Sequence, residues 1–469
     1  MKEFLLKFGS FSIGPVVGAL FSFVTVPVTT YFINPEEYGK VSMFVLAQTV
    51  ITVFLYLGMD QAYLRKYTEI QNKNVLLFNS LLLPCGVLFI LEVILFFFRK
   101  ELSILLFGTA ADTYCVGMLM LILPFKLLEQ FLLCKLRMEE KGTLYSLFTI
   151  LLKAFILVFS VAFLLLLDKN YETVVLATTV SEIVVVLVLL FANLSNIRLK
   201  KAFFNKELLK ELLMFGLPLV PAALIGWMLN SMDKIMLRTI CGYAEVGLYS
   251  AAFKMVSVLS IVQQAFTLFW VPMAYRWKAN GVSETDFSKV GKAVAGVMSF
   301  FLAGILLFKD VIVMILSSDY ISSKFIMPFL LLYPVMYTVS EVTVLGIYFS
   351  KKSIYTIIVA AISSGVNIVL NLLLIPQIGA VGAAVATGIA YIIFFWVRTL
   401  ISRRLWYSFP LKDYILYTVL LIVLCAVNTF WDGVGVYLIT GLSIIVIGFI
   451  NRKEIRWLWE KVKIYCKKE

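Results

Sequence analysis

The chain contains no histidine. That removes the side chain that most often serves as general base, proton shuttle or metal ligand near neutral pH, and with it the enzyme mechanisms that need one. Charge is scarce too: 15% of the 469 residues are Asp, Glu, Lys or Arg, where a soluble domain carries about 25%. The six cysteines (Cys85, Cys115, Cys134, Cys241, Cys425 and Cys466) show no CxxC or other metal spacing. Most lie in or beside apolar stretches, where a free thiol packs as a small hydrophobe. No Gly-rich nucleotide loop is present, so the chain is not expected to be an ATPase. No outer connection is long enough to fold a catalytic domain, which disfavours a membrane-bound sugar polymerase or acyltransferase.

What the sequence does contain is apolar. Hydrophobic residues make up 61%, with a mean hydropathy of +0.96, more than a water-soluble fold can hide. A spanning helix needs about 20 mostly apolar residues. Fourteen stretches qualify: 9–33, 41–62, 75–98, 113–133, 144–167, 173–193, 212–237, 247–272, 293–316, 325–349, 354–375, 381–397, 414–430 and 434–450. Lys309 and Asp310 interrupt the ninth. The apolar run after Met1–Lys7 is too long for a signal peptide and reads as the first membrane helix. The expected fold is an all-α membrane protein.

The basic residues give the orientation. With the N-terminus inside, 30 of the 41 Lys and Arg fall in inside segments and 7 in outside ones. Cytoplasmic loops hold such an excess, so both termini are expected on the cytoplasmic side of the cell membrane. The net charge of +13 is then mostly topology, and no nucleic-acid partner is expected. The expected organisation is a six-helix lobe over 1–197, a basic amphipathic cytoplasmic linker over 198–211 and a second six-helix lobe over 212–404. Two extra spans over 405–450 and a basic amphipathic tail over 451–469 follow, the tail suited to lie on anionic lipid.

The two lobes resemble each other. Phe8-Gly9 opens the first span and Phe215-Gly216 the seventh. Glu37-Tyr38-Gly39-Lys40-Val41-Ser42 opens the second, and Glu245-Val246-Gly247-Leu248-Tyr249-Ser250 opens the eighth, displaced by 208 residues. Six spans per repeat is an even number, so both halves insert the same way, with a substrate site expected at the repeat interface near the midplane.

Ionisable residues inside apolar spans cost about 2.5–3.5 kcal/mol each at a helix centre and face a cavity or a partner. They are Asp60, Glu92, Lys126, Glu129, Lys153, Glu182, Asp233, Lys234, Lys254 and Glu341. Asp60, Asp233 and Lys234 lie near span ends and can snorkel. Lys126 and Glu129, three apart on one face, are placed to neutralise each other. Lys153 and Lys254 lie deeper, with no carboxylate within four positions on their own helices. Deep cations suit an anionic ligand such as a diphosphate; a salt bridge to Glu92, Glu182 or Glu341 is the structural alternative. The cationic site is therefore expected from Lys153, Lys254, Lys126 and Lys234. Glu92, Glu182, Glu341, Asp233 and Asp60 are the candidates for proton or sodium coupling. No catalytic residue, metal or organic cofactor is expected.

Prolines and glycines punctuate the spans, and Ile375-Pro376-Gln377-Ile378-Gly379 reads as a turn feeding a helix of small residues, Ala380 to Gly388, suited to close packing. At this point the sequence resembles a polysaccharide flippase of the multidrug/oligosaccharidyl-lipid/polysaccharide exporter superfamily. The resemblance rests on Asn34-Pro35-Glu36-Glu37-Tyr38-Gly39, Phe215-Gly216-Leu217-Pro218, Asp233-Lys234-Ile235-Met236-Leu237 followed by Glu245 to Ser250, and Ile375-Pro376 through Thr387. It covers roughly residues 5–400. It implies two six-helix lobes in a V, a cationic central cavity and alternating access. It also implies an undecaprenyl-diphosphate-linked oligosaccharide as substrate, flipped from the inner to the outer leaflet. Membrane lipids, a polysaccharide polymerase and glycosyltransferases are the implied partners. Family cavities often carry arginine, and none here lies deep in an expected span. Fourteen spans are similar to the lipid II flippase branch. A multidrug or cation exporter of the same fold is the main rival, and a scaffold the remaining one; cationic drugs call for carboxylates, against which the deep lysines argue.

Overall fold

A computed structural model describes the backbone of residues 2–110, 113–193, 203–352 and 354–467, with side chains described throughout except at 2–10, 12, 230 and 453–467. The expected linker residues 198–202 and the side chains of the expected amphipathic tail from 453 onward thus lie outside the described residues.

The described chain is helical, without strands. The helices are α1 (Lys2–Thr30), α2 (Pro35–Tyr56), α3 (Met59–Lys66), α4 (Lys73–Phe97), α5 (Arg99–Phe107), α6 (Thr113–Met138), α7 (Gly142–Leu166), α8 (Tyr171–Asn193), α9 (Lys206–Gly216) and α10 (Leu219–Ile240). They continue as α11 (Tyr243–Ala279), α12 (Glu284–Leu307), α13 (Lys309–Met314), α14 (Ser323–Leu330), α15 (Leu332–Thr343), α16 (Leu345–Phe349), α17 (Ile354–Leu405), α18 (Lys412–Phe430) and α19 (Val434–Lys467).

Thirteen helical stretches among the described residues are long and apolar enough to cross a membrane. One of them is the 52-residue α17, whose backbone leaves helical geometry at Ile378 and Gly379. It supplies two runs, which brings the count to the expected fourteen. Gly379 has φ +55°, and a Cβ there would sit 2.7 Å from Glu245 Oε2, so a side chain would meet both the left-handed backbone and a neighbour. The chain is a multi-pass membrane protein.

Local sequence explains where helices begin. Asn34 accepts from Glu37 N at 3.0 Å ahead of Pro35 and two glutamates in the first turn of α2, a combination that satisfies free amides and complements the helix dipole. Asn72 and Asn205 cap α4 and α9 in the same way.

Several spans differ from expectation, among them the second, which runs over Pro35–Tyr56 rather than 41–62 and leaves Asp60 on α3, and the eighth, which runs over Tyr243–Ala279 rather than 247–272. The ninth runs over Glu284–Leu307 rather than 293–316. Ser283 caps it, and it ends before Lys309, whose ammonium is buried against the Asn428 carbonyl at 2.7 Å. The twelfth runs on to Leu405 rather than stopping at 397, which draws Arg398 into the packed interior, where it is 2% exposed.

The chain divides into two compact units, Met1–Ser231 and Met232–Glu469. The division falls within α10 rather than in the linker, because α9 is docked on the first unit. Gly58 (φ +69°) meets Gly216 backbone to backbone, leaving no room for a Cβ at either position. Lys66 pairs with Glu211 at 2.7 Å, the Arg65 guanidinium lies over the Phe215 ring, and Asn79 accepts from Asn205 N at 2.9 Å.

The sequence repeat has a structural counterpart. Glu37 Oε2 accepts from Tyr171 N at 2.7 Å, and Glu245 Oε2 accepts from Ala380 N at 2.7 Å. Tyr171 opens α8, the sixth span of the first half. Ala380 opens the second run of α17, the sixth span of the second half. Each repeated glutamate therefore caps the last helix of its own lobe.

Candidate functional site

Four groups of intramembrane polar residues emerge, each within one unit.

In the first unit, Lys126 on α6 lies between two carboxylates. Its Nζ is 2.9 Å from Glu129 Oε2, one turn along, and 2.6 Å from Glu182 Oε2 on α8. The pairing of Lys126 with Glu129 follows from their spacing; Glu182 is the partner that only packing of α6 against α8 supplies. Lys153 on α7 interacts electrostatically with Glu129, and its side chain packs near Gly18 of α1. Asp60 on α3 is buried at 6% exposure and accepts from Gln61 at 2.9 Å and from Gln130 of α6 at 2.8 Å. It does not snorkel, because two amides replace the water it would otherwise seek.

In the second unit, Lys234 on α10 and Lys254 on α11 act on one another electrostatically. Lys234 is half-buried and Lys254 exposed. Among the described residues no hydrogen bond or ion pair reaches either ammonium. Lys234 has a carboxylate beside it in sequence, Asp233, but that group is otherwise engaged.

Asp233 is 1% exposed and, like Asp60, does not snorkel. Its Oδ1 accepts from Asn371 Nδ2 at 2.5 Å; its Oδ2 accepts from the Tyr249 hydroxyl at 2.6 Å and from Thr387 Oγ1 at 2.7 Å. Asn371 also donates to Asn367 Oδ1 at 3.0 Å, and its own Oδ1 has no donor. Four spans thus converge: α10, α11 and both runs of α17. Sequence reasoning named Asp233 but missed Tyr249, Asn367, Asn371 and Thr387. The signal was present, since two asparagines four residues apart fall on one face of an apolar helix.

The fourth group is an ion pair. Glu341 Oε1 accepts from Arg398 Nη1 at 2.8 Å, and the guanidinium also donates to Ser340 Oγ and the Tyr348 hydroxyl, each at 2.7 Å. No arginine is expected within the twelfth span; the helix runs past Arg398, which is buried in the protein and occupies Glu341. Glu92 joins none of these groups. It is half-buried on α4, with one carboxyl oxygen unpartnered.

The arrangement separates two chemistries. A pair of lysines whose ammonium groups no hydrogen bond or ion pair reaches among the described residues is suited to an anion with more than one charge. A buried carboxylate ringed by hydroxyl and amide oxygens is suited to a proton or a small hard cation, which takes oxygen ligands.

Comparisons with known proteins agree with the architecture. The chain is similar to the lipid II flippase MurJ in its inward closed conformation, with a TM-score of 0.73 at 18% identity, covering 95% of this chain and 99% of that one. It is similar to an inward-facing multidrug resistance MATE family transporter of the MOP superfamily, with a TM-score of 0.60 at 16% identity, covering 87% and 95%. A probable low-salt glycan biosynthesis flippase, Agl15 of Haloferax volcanii, is 23% identical over 199 residues. That match spans 41% of each chain. Residues 4–278 match the model of the family described as polysaccharide biosynthesis protein. The match takes in more than half of the sequence and reaches from the first span through Asp233 to Lys254, so the chain belongs to the polysaccharide biosynthesis protein family, on a MurJ- and MATE-like fold.

Proposed function

We propose that this protein carries a lipid-linked oligosaccharide, joined through a diphosphate to a polyprenyl lipid such as undecaprenol, from the inner to the outer leaflet of the cytoplasmic membrane. It does so by alternating access, in the service of surface polysaccharide assembly. The observation that carries this reading is that no hydrogen bond or ion pair among the described residues reaches the ammonium of Lys234 or Lys254. The two cations act on one another unfavourably, and repulsion grows as the local dielectric falls. A diphosphate relieves it with charge-assisted hydrogen bonds. Family membership and the flippases among the similar proteins support the same substrate class. A cationic drug would find the opposite of what it needs at these lysines.

Coupling belongs to Asp233 in this reading. Its carboxylate, the Asn371 and Asn367 amides, Thr387 and Tyr249 offer an oxygen-rich pocket for a sodium ion or a proton. Rotation of the Asn371 amide exchanges its donor for its acceptor and leaves a carboxylate facing carbonyl oxygens. Both termini and α9 are cytoplasmic, and polymerase and glycosyltransferases act next to the carrier.

The test is surface polymer in cells making Lys234→Ala, Lys254→Ala or both, with protein quantified in the membrane. Each loss is expected to cut polymer by about tenfold or more, since a hydrogen bond to a charged group is worth about 1.5–3 kcal/mol. Arg at either site restores part of it, keeping charge while changing shape. Normal polymer from a well-accumulated double variant overturns the reading and moves weight to an exporter of cations.

A further inference from the structure

Glu129 and Glu182 lie outside the Lys234–Lys254 pair and the Asp233 network, and both accept from the Lys126 ammonium, at 2.9 and 2.6 Å. We propose that these two carboxyls share a proton-binding site, and that its occupancy sets the charge that Lys126 and Lys153 present to an anion. The second half of this proposal rests on the flippase reading above; the first does not.

The geometry carries the proposal. Glu182 is 1% exposed, its Oε2 is 2.6 Å from Lys126 Nζ, and its Oε1 has no hydrogen-bond donor. The Glu129 and Glu182 carboxylates are gathered on one ammonium, each through its Oε2. Two ionised carboxylates so placed repel, and a proton taken up by the pair relieves the repulsion. On Glu182 Oε1 that proton would also satisfy an oxygen that has no partner. The other groups facing the pair are Lys126 on α6, Lys153 on α7 and Tyr56 on α2, with Asp60 on α3 already bonded to Gln61 and Gln130. Lys126 and Glu129 retain 19% and 18% side-chain exposure, while Glu182 retains 1%.

Counting charge gives the consequence. With both carboxyls ionised, Glu129, Glu182, Lys126 and Lys153 sum to zero. With one proton shared, they carry a net positive charge, and Lys126 is held by a single negative charge instead of two. Proton uptake therefore favours anion binding, and by linkage an anion favours proton uptake.

The proton site is tested on the full-length protein in nanodiscs by infrared pH titration, following the carbonyl stretch of protonated carboxyl groups. A titrating band is expected that disappears in Glu182→Gln and in Glu129→Gln. A band that persists unchanged in both variants overturns the site. Should neither variant accumulate, Lys126→Gln decides: withdrawing the cation is expected to move the midpoint upward, and an unmoved midpoint overturns the site. The linkage is tested by adding undecaprenyl diphosphate to the same nanodiscs with a pH indicator. The wild type is expected to take up about one proton per chain on binding, and the Gln variants none. Binding without proton uptake overturns the linkage. Failure of undecaprenyl diphosphate to bind at any pH overturns the linkage and the substrate reading together, while the infrared titration still decides the proton site.

Discussion

At the scale of single residues, burial separates roles that position along the sequence leaves merged. Asp60 and Asp233 both lie near the ends of apolar runs, from which a side chain can reach for water. Each is instead enclosed, because neighbouring helices bring amides and hydroxyls that replace hydration. Arg398 illustrates the converse. It is the partner that removes Glu341 from the list of free intramembrane acids. Replacing one member of a buried pair leaves a bare charge, a loss of about 3–5 kcal/mol, whereas replacing both with apolar residues is often tolerated. Arg398→Met is therefore expected to lower the amount of folded protein in the membrane sharply, and Arg398→Met with Glu341→Leu to recover most of it. Size-exclusion profiles in detergent measure both. If the double variant is as depleted as the single one, the pair has a role beyond mutual neutralisation.

At the scale of elements, two features stand out. The first is the twin cap made by Glu37 and Glu245. Each carboxylate accepts from the first amide of a helix, where loss of a capping side chain costs about 0.5–2 kcal/mol. Glu245→Gln is expected to lower thermal stability modestly. Gly379→Ala is expected to lower it more, since the left-handed backbone alone costs about 1–2 kcal/mol before the contact with Glu245 is counted. Thermal unfolding followed by tryptophan fluorescence would show the order of the two. The second feature is the docking of α9. Hydrogen bonds to Glu211 and Glu69 hold the Lys66 ammonium above the ordinary lysine range, and the bond from Lys66 holds Glu69 below the ordinary carboxylate range. A raised lysine contributes below its ordinary value and stops contributing only at strongly alkaline pH. A lowered glutamate contributes above its ordinary value and is lost as pH falls through its depressed one. The Lys66–Glu69 pair is thus complete through neutrality and is lost first in acid, while Lys66 keeps its charge for Glu211 of α9. A spin label at exposed Lys210 is expected to gain mobility at neutral pH in Lys66→Met; unchanged mobility would mean that the Gly58–Gly216 contact holds α9 by itself.

For the whole molecule, orientation follows from where lysine and arginine fall. Single cysteines at exposed Glu36 and Lys206, chosen because Asn34 and Asn205 cap helices, are expected to label from opposite sides in a background without accessible native cysteines. In intact cells an impermeant thiol reagent should reach position 36 and not 206; the reverse result inverts the topology. The 30 to 7 bias behind this expectation is a bulk property of loops, so a wrong span boundary barely disturbs it. That is why the span count and the all-helical class were legible from residues 1–450 even though the ninth span was displaced and the twelfth cut short. Helix ends are set by caps such as Ser283 and by burial of residues such as Arg398, and neither is visible to a hydropathy window.

The sequence by itself determined that this chain crosses a membrane many times, that its halves are repeats and that a turn at Pro376–Gly379 divides a long apolar stretch. Those conclusions need only composition and local backbone preference, which act over a few residues at a time. It also named Asp60, Glu182, Asp233 and Glu341, acids that the structure buries. Their partners were decided by tertiary structure. Lys126 meets Glu182 across 56 positions, Asp233 meets Thr387 across 154, and it meets Tyr249 of the next helix as well. Buried charge is stabilised by whatever lies within a few ångströms, and in a helical membrane protein those neighbours come from other helices. Sequence spacing reports only one helix at a time.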